Sequence, residues 1–186
     1  GNNVAPSMMI HDNTLYVVYQ NNDEKNWAVK MIRGVDRGWS WDEKPMIAST
    51  TVANCYSPSV GAAGDDVMVL WYDTRAGGSR IYARKYSPRE KVFQQEMEIS
   101  EARYNSRNPD VVSMGRRCIV FWEERNVIMA KQTDSYVEAP AVFSDTNPDG
   151  KWSRLPYAVI RWRPPKDESG IVGYAALLND IPDFNP

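Results

Sequence analysis

Three short polar stretches of the sequence carry acids, amides or arginines, which are residues that can bind carboxylates and sugars. Each follows an apolar run that ends on an aromatic residue: they read QNN (20–22), YDTR (72–75) and EER (123–125). A guanidinium group forms paired hydrogen bonds with a carboxylate, and an aromatic face can stack on a sugar ring. We therefore predict ligand-binding residues in and around these stretches: Asn22, Tyr56, Asp73, Arg75, Arg80, Arg107, Glu124 and Arg125. The alternative is that pairs such as Asp73–Arg75 and Glu124–Arg125 are solvated or locally paired loop charges.

The sequence indicates neither a metal site nor a cofactor site. Its single histidine, His11, gives little support for Ser–His–Asp or histidine–metal chemistry. The stretches GDD (64–66) and DTNPDG (145–150) carry oxygen ligands, but neither matches an EF-hand loop. We read both as turns and expect no metal and no cofactor.

An internal repeat positions the polar stretches along the chain. Its three copies begin near Pro6, Pro58 and Pro109, which are 52 and 51 residues apart. In each copy an aromatic residue follows 13 residues after the proline: Tyr19, Trp71 and Trp122. Each copy therefore reads as a strand, a turn, a second strand that ends on the aromatic residue, a polar loop and a third strand.

The repeat predicts an all-β fold made of antiparallel β-propeller blades. Apolar residues alternate with period two, and helical periodicity is missing. A repeat of about 50 residues with antiparallel strands is typical of blades, because one blade cannot bury both of its faces alone. We predict about three blades, over residues 1–53, 54–103 and 104–147. Loops that join second to third strands, and those that lead into each blade, would share one face with the candidate residues.

One turn carries a recognisable motif. The stretch GVDRGWSW (34–41) resembles the Asp-box, S-x-D-x-G-x-x-W, of the sialidase-like β-propellers, also called BNR-repeat proteins. Asp36, Gly38 and Trp41 match the motif, and Gly34 stands at the serine position. Asp can accept hydrogen bonds from turn N–H groups, Gly permits an unusual backbone angle, and Trp packs over the hairpin. The resemblance implies a structural role on the side away from the substrate.

The same resemblance implies what catalysis would require. Sialidases of this family use an arginine triad, a tyrosine nucleophile with a supporting glutamate, and an acid. Arg75 and Arg107 could belong to a triad, Asp73 could be the acid and Tyr104 the nucleophile, but no spacing singles them out. The Phe/Tyr-Arg-Ile-Pro motif of the family is missing from the sequence. Because family propellers close with six blades, further blades are expected elsewhere in the polypeptide or in another chain.

The pattern changes near residue 148. The segment 148–186 resembles the opening of a fibronectin type III domain, with AVIRW as one strand and GYAALLND as the next. The matching residues belong to a form common in bacterial multidomain proteins: Pro164, Pro165, Asp167, Gly170 and Tyr174. Such a domain needs about 100 residues, so the natural polypeptide is expected to continue. The alternative is a C-terminal hairpin that caps the last blade.

The amino-acid composition limits the classes of partner that the chain could bind. The net charge is −2 without a basic block, which argues against nucleic acid, and no apolar run approaches the roughly 20 residues of a membrane span. Seven Trp and ten Tyr against four Phe favour half-exposed positions at sheet edges or in carbohydrate and protein contacts. Cys55 and Cys118 lack metal-ligand spacing and are either two buried thiols or a disulfide.

Two functions fit these observations. The first is a non-catalytic carbohydrate- or protein-binding or scaffold module of a larger exported bacterial protein, placed extracellularly, at the cell surface or in the periplasm. The second is a glycoside hydrolase of the sialidase clan whose remaining catalytic residues lie outside this chain. The missing arginine motif favours the first, with a glycan or protein as partner.

Overall fold

The computed structural model of the chain describes residues 1–101, 104–134, 141–146, 154, 157 and 159–163. Its regular structure there is almost entirely β-strand, and every strand pair is antiparallel, which confirms the predicted all-β class. Within these residues no helix is long and apolar enough to span a membrane. The chain divides into two compact units, Gly1–Tyr136 and Val137–Pro186.

The described part of the first unit forms three consecutive sheets, whose strands pair largely in sequence order. The first sheet contains β1 (Asn3–His11), β2 (Thr14–Glu24), β3 (Asn26–Val35), β4 (Ser40–Trp41) and β5 (Met46–Ile47). The second contains β6 (Cys55–Ala63), β7 (Asp66–Asp73), β8 (Arg80–Ser87) and β9 (Val92–Glu98). The third contains β10 (Ser106–Met114), β11 (Arg117–Glu124) and β12 (Val127–Asp134). In the first sheet β4 and β5 both pair with β3, so two short strands share the place of one fourth strand.

A β-bulge recurs at the repeated proline of every sheet. The register of the first two strands shifts around Pro6, Pro58 and Pro109. The residue before each proline has a positive φ: +51° at Ala5, +47° at Ser57 and +50° at Asn108. Such a bulge bends the strand, and the positive φ of its residue is maintained only where the surrounding structure holds it. The proline spacing read from the sequence is therefore a spacing between equivalent bulges.

The repeated aromatic residue lies opposite this bulge in each sheet. Tyr19 sits between residues paired on either side of the first bulge, and Trp71 and Trp122 hold the same place in the second and third sheets. The predicted equivalence of the three second-strand aromatics is confirmed. This one-to-one correspondence lets any residue of one sheet be mapped onto its counterpart in another.

Two apolar cores hold the three sheets together. The first lies between the first and second sheets and includes Val18 and Met31 with Val69 and Trp71. The second lies between the second and third sheets and includes Met68, Leu70, Cys118, Val120 and Trp122. Successive residues of β7 alternate between the two cores, because side chains of a strand point to opposite faces. The middle sheet is buried on both faces, as blades are.

The hairpin at residues 34–41, whose sequence resembles an Asp-box, is built by different contacts from those expected. Gly38 has a φ of +87°, and the Trp41 ring lies over Gly34, where an added Cβ would come within 3.1 Å of the indole. Asp36, however, is exposed, and no described group donates a hydrogen bond to its carboxylate. The expected acceptor is Asp42 instead, which receives the backbone N–H of Arg33 at 3.1 Å and both arms of its guanidinium at 2.8 and 2.9 Å. Asp42 follows the last residue of the motif, Trp41, so the motif did not predict its role.

The second unit contains one described strand pair. β13 (Ala141–Ser144) pairs with β14 (Ile160–Arg163) in the antiparallel sense. β13 falls inside the segment predicted as the third blade, and β14 overlaps the predicted AVIRW strand (158–162) at residues 160–162. The residues that carry the fibronectin type III resemblance, 164–174, lie outside the described residues.

The two cysteines are buried in different cores. Cys55 belongs to the first core and Cys118 to the second, and no disulfide joins them. Burial raises the pKa of the Cys55 thiol to about 12. The thiol is therefore protonated at neutral pH in the folded chain.

Candidate binding site

A cleft of about 540 Å³ opens within the first unit, at the end of the sheets where second strands connect to third strands. Three segments form it: the β7–β8 loop, the residues just before β10, and the β11–β12 turn. The described residues that line it are Ala76, Gly77, Gly78, Arg80, Tyr104, Asn105 and Arg125. The cleft therefore lies on the face where the sequence analysis placed the ligand-binding residues.

The β7–β8 loop is locked to the segment before β10. The backbone N–H of Ser79 donates to Oδ1 of Asn105 at 3.0 Å, and the N–H of Ser106 donates to the Ser79 carbonyl oxygen at 2.9 Å. Gly78 makes this approach feasible, because a Cβ there would lie 2.9 Å from Oδ1 of Asn105. Gly77 adopts a φ of +81°, which favours glycine. The glycine pair thus lets the loop backbone form one wall of the cleft.

Two arginines and a tyrosine give the cleft its chemistry. The guanidinium carbon of Arg125 lies 3.2 Å from the centroid of the Tyr104 ring, so the two side chains form a cation–π contact. Arg80 donates from Nη1 to the Tyr104 carbonyl oxygen at 2.8 Å and lies 3.5 Å from the carboxylate of Glu98. Arg125 sits with Asn126 in a two-residue turn where both residues have positive φ, as in a type I′ hairpin. The turn points the Arg125 side chain at the tyrosine.

Other candidate residues support the cleft without lining it. Arg107 donates from Nε to the Ser79 hydroxyl at 3.3 Å, which steadies the β7–β8 loop. Glu124 accepts a hydrogen bond from the Ser106 hydroxyl at 2.9 Å and one from the Trp122 indole at 3.3 Å. Both residues therefore hold the two segments that present Tyr104 and Arg125.

Asp73 and Arg75 lie in a separate, buried network. Asp73 is fully buried and accepts hydrogen bonds from the Trp71 indole at 3.0 Å and from the Arg75 guanidinium at 2.6 Å. The guanidinium also contacts the carboxylate of Glu96 and stacks 4.0 Å above the Tyr82 ring. Burial lowers the pKa of Arg75, but its hydrogen bonds to the two carboxylates outweigh this and raise it overall. Asp73 is not among the described residues that line the cleft.

The contact between the repeated tryptophan and an acid two residues later is made in the second and third sheets. The residue two positions after the repeated aromatic is Asn21, Asp73 or Glu124, and in the second and third sheets its carboxylate accepts the indole N–H. In the first sheet the tyrosine has no such donor, and Asn21 instead binds Asn3 through its side chain at 2.7 Å. An aromatic-x-acid pattern is thus a structural element of these sheets.

The remaining predicted residues lie elsewhere on the same end of the sheets. Asn22 accepts the backbone N–H of Asn2 at 2.6 Å, and Tyr56 packs against Tyr72 with ring centroids 5.2 Å apart. Of the predicted set, the structure brings together Arg80, Tyr104 and Arg125. Sequence reasoning missed Asn105, which carries no motif. The only sequence feature that could have indicated Asn105 is its position next to Tyr104, in the loop that leads into the third sheet.

The lining has no carboxylate among its described residues. No group of three or more His, Cys, Asp and Glu side chains is placed to hold a metal ion in the described part of the chain. The cleft therefore offers donors, cationic groups and one aromatic face rather than acids.

Comparison with known proteins found no matching family model and no matching curated protein. Among solved structures the chain is similar to a GH43 endo-arabinanase from Bacillus licheniformis, at 10% sequence identity and a TM-score of 0.39. The match covers 69% of this chain and 71% of that one.

Proposed function

We propose that the chain is a non-catalytic binding module whose cleft takes an acidic carbohydrate. The observation that carries the proposal is the lining itself, where Arg80 and Arg125 flank Tyr104 and Asn105 without a described acid. A volume of about 540 Å³ falls within the range of about 300–1,000 Å³ typical of small-ligand sites.

The groups match the chemistry of a sugar acid. A guanidinium group recognises a carboxylate through paired, charge-assisted hydrogen bonds. Arg125 is held by its contact with Tyr104, so less side-chain entropy is lost when it binds. The side-chain amide nitrogen of Asn105 can donate to hydroxyl groups, and the open space around Gly77 leaves room for a ring to approach the backbone.

Glycoside hydrolysis has weaker support at this site. Most such enzymes place two carboxyl groups on either side of the scissile bond. The carboxylate suggested as the acid, Asp73, is fully buried and bound to Trp71 and Arg75. These contacts favour binding over turnover.

The experiment compares sugars that differ mainly in charge. Titrations of glucuronate, galacturonate and N-acetylneuraminate oligosaccharides, followed by calorimetry, should show binding, whereas the matched neutral oligosaccharides should bind at least tenfold more weakly. Arg125→Gln should abolish the difference. Arg37→Gln, an exposed arginine at the opposite end of the first sheet, should leave it intact.

Two outcomes would overturn the proposal. One is the absence of binding to every acidic sugar tested, and the other is equal affinity for acidic and neutral sugars. Turnover of an aryl glycoside or sialoside, lost in Arg125→Gln, would favour the hydrolase alternative instead.

A further inference from the structure

Each sheet of the first unit has two faces, and the repeat identifies corresponding positions on them. The face that carries Trp71 in the second sheet packs on the first sheet, and the face that carries Trp122 in the third sheet packs on the second. We call this the leading face. The opposite, trailing face carries Val18 in the first sheet and Leu70 in the second, and each packs on the sheet that follows. Every junction therefore joins a trailing face to a leading face.

Among the three sheets described in the first unit, one leading face and one trailing face pack on no other of these sheets. The leading face of the first sheet carries Tyr19 at the position of Trp71, with Leu15 and Val17 preceding it on β2 and Met8 and Ile10 on β1. Met8 has 63% of its surface exposed, and Ile10 is more exposed still.

The trailing face of the third sheet is apolar as well. Phe121 stands at the position of Leu70, Ile119 precedes it on β11, and Val112 and Met114 flank them on β10. Val112 is 50% exposed, and Met114 and Ile128 of the neighbouring β12 are also exposed. Contiguous apolar patches on a protein surface mark interaction sites.

The junction between the second and third sheets shows which residues such faces bring together. Gly61 on the trailing side approaches Val111 and Ser113 on the leading side, since a Cβ at Gly61 would lie 2.8 and 3.4 Å from their side chains. The repeat maps Gly61 onto Met9 of the first sheet, which packs on the second sheet, so the position also accepts a large side chain. In the third sheet it maps Gly61 onto Val112. It maps Val111 onto Met8, and Ser113 onto Ile10.

We propose that the chain associates head to tail with a second copy of itself, with the trailing face of the third sheet on the leading face of the first sheet of the other copy. Val112 of one copy then contacts Met8 and Ile10 of the other. The occupant is a second copy because each chain carries both halves of a junction that its own three sheets already form twice. A contact of this kind is heterologous and can close into a ring.

The first test is the mass of the full chain in solution. Light scattering and sedimentation across the micromolar range should show a species of at least two 21.2 kDa chains in equilibrium with the single chain. A chain that remains monomeric throughout that range overturns the proposal.

The second test separates the two faces. Met8→Lys and Val112→Glu should each weaken the self-dissociation constant at least tenfold, while Val92→Glu, a valine of equal exposure on β9, should not. Thermal midpoints that match the wild type at a concentration where the wild type is monomeric will show that these exposed substitutions leave the fold intact. Mixing the Met8→Lys and Val112→Glu chains should restore association, because one junction gains an opposite-charge pair and the other keeps its native residues. Association that is insensitive to both substitutions, or that mixing fails to restore, overturns the head-to-tail arrangement.

Discussion

Asp42 carries the hydrogen bonds that the Asp-box motif led us to expect at Asp36. It accepts the backbone N–H and the guanidinium of Arg33, and both side chains are largely shielded from solvent. Asp42→Ala should therefore lower the free energy of unfolding by about 1–3 kcal/mol, because a half-buried arginine and a backbone N–H lose their acceptor. Asp36→Asn, which removes the carboxylate but keeps a side chain that tolerates the φ of +51° at this position, should change it by less than about 0.5 kcal/mol. Urea unfolding of the two variants would measure this, and an equal or larger effect at Asp36 would contradict it.

The Arg33–Asp42 pair also predicts a pH dependence. Hydrogen bonds from Arg33 hold the pKa of Asp42 below its ordinary value. A carboxyl group whose pKa is depressed by folding stabilises the folded state above its unfolded pKa, and this contribution disappears as the pH falls through its folded pKa. The stability difference between the wild type and Asp42→Asn should be complete at neutral pH and shrink below about pH 4. A difference that stays constant from pH 7 to pH 3, in unfolding curves recorded at each pH, would argue against this assignment.

Asp73 allows a structural role to be distinguished from a chemical one. Removing a buried carboxylate leaves the groups bound to it without a hydrogen-bond acceptor, and at Asp73 these are the Arg75 guanidinium and the Trp71 indole. Asp73→Ala should therefore lower the free energy of unfolding by about 3 kcal/mol. Binding of an acidic sugar should survive in the fraction that remains folded, because Asp73 is outside the cleft lining. The matched change Glu124→Ala should cost less stability and weaken sugar binding, since Glu124 holds Ser106 beside the cleft. A loss of sugar affinity in Asp73→Ala larger than that in Glu124→Ala would reverse these roles.

At the scale of elements, the strands and their repeat were predictable because they depend on local pattern. Period-two alternation located β1 to β3 and their equivalents, and the proline spacing located three equivalent bulges. The division of the fourth strand into β4 and β5 was not predictable, since both are two residues long and pair with β3 through long-range contacts. The cleft was predictable only in part. The charge and chain position of Arg80, Tyr104 and Arg125 predicted them. The place of Asn105 in the cleft could not be predicted, because it depends on the packing of its loop against the β7–β8 loop.

The junction between the second and third sheets predicts a coupled packing effect. Gly61→Ala should destabilise the chain by about 1–3 kcal/mol, because the new methyl group would lie 2.8 and 2.9 Å from the two γ-carbons of Val111. Val111→Ala removes those atoms, so the double variant should be more stable than the sum of the single changes predicts, by at least about 0.5 kcal/mol. Chemical unfolding of the four proteins completes the cycle. Strict additivity would mean that β6 and β10 do not meet as described.

At the scale of the molecule, the middle sheet joins two cores that cannot open independently without exposing one of its faces. Cys55 reports on the first core and Cys118 on the second, and burial raises the pKa of Cys55 to about 12. A thiol reagent should therefore modify neither cysteine at neutral pH while the chain is folded, because both side chains are fully buried and the Cys55 thiol in addition stays protonated.

In rising urea both cysteines should become reactive at the same concentration, because the first unit then unfolds cooperatively. Mass spectrometry of peptides labelled at each urea concentration distinguishes Cys55 from Cys118, and Cys55→Ala and Cys118→Ala chains serve as single-site controls. Earlier labelling of Cys118 would show that the third sheet, which pairs only three described strands, opens as a separate unit. The covering of its trailing face by a second copy should then delay that opening as protein concentration rises, since binding stabilises the folded form by mass action.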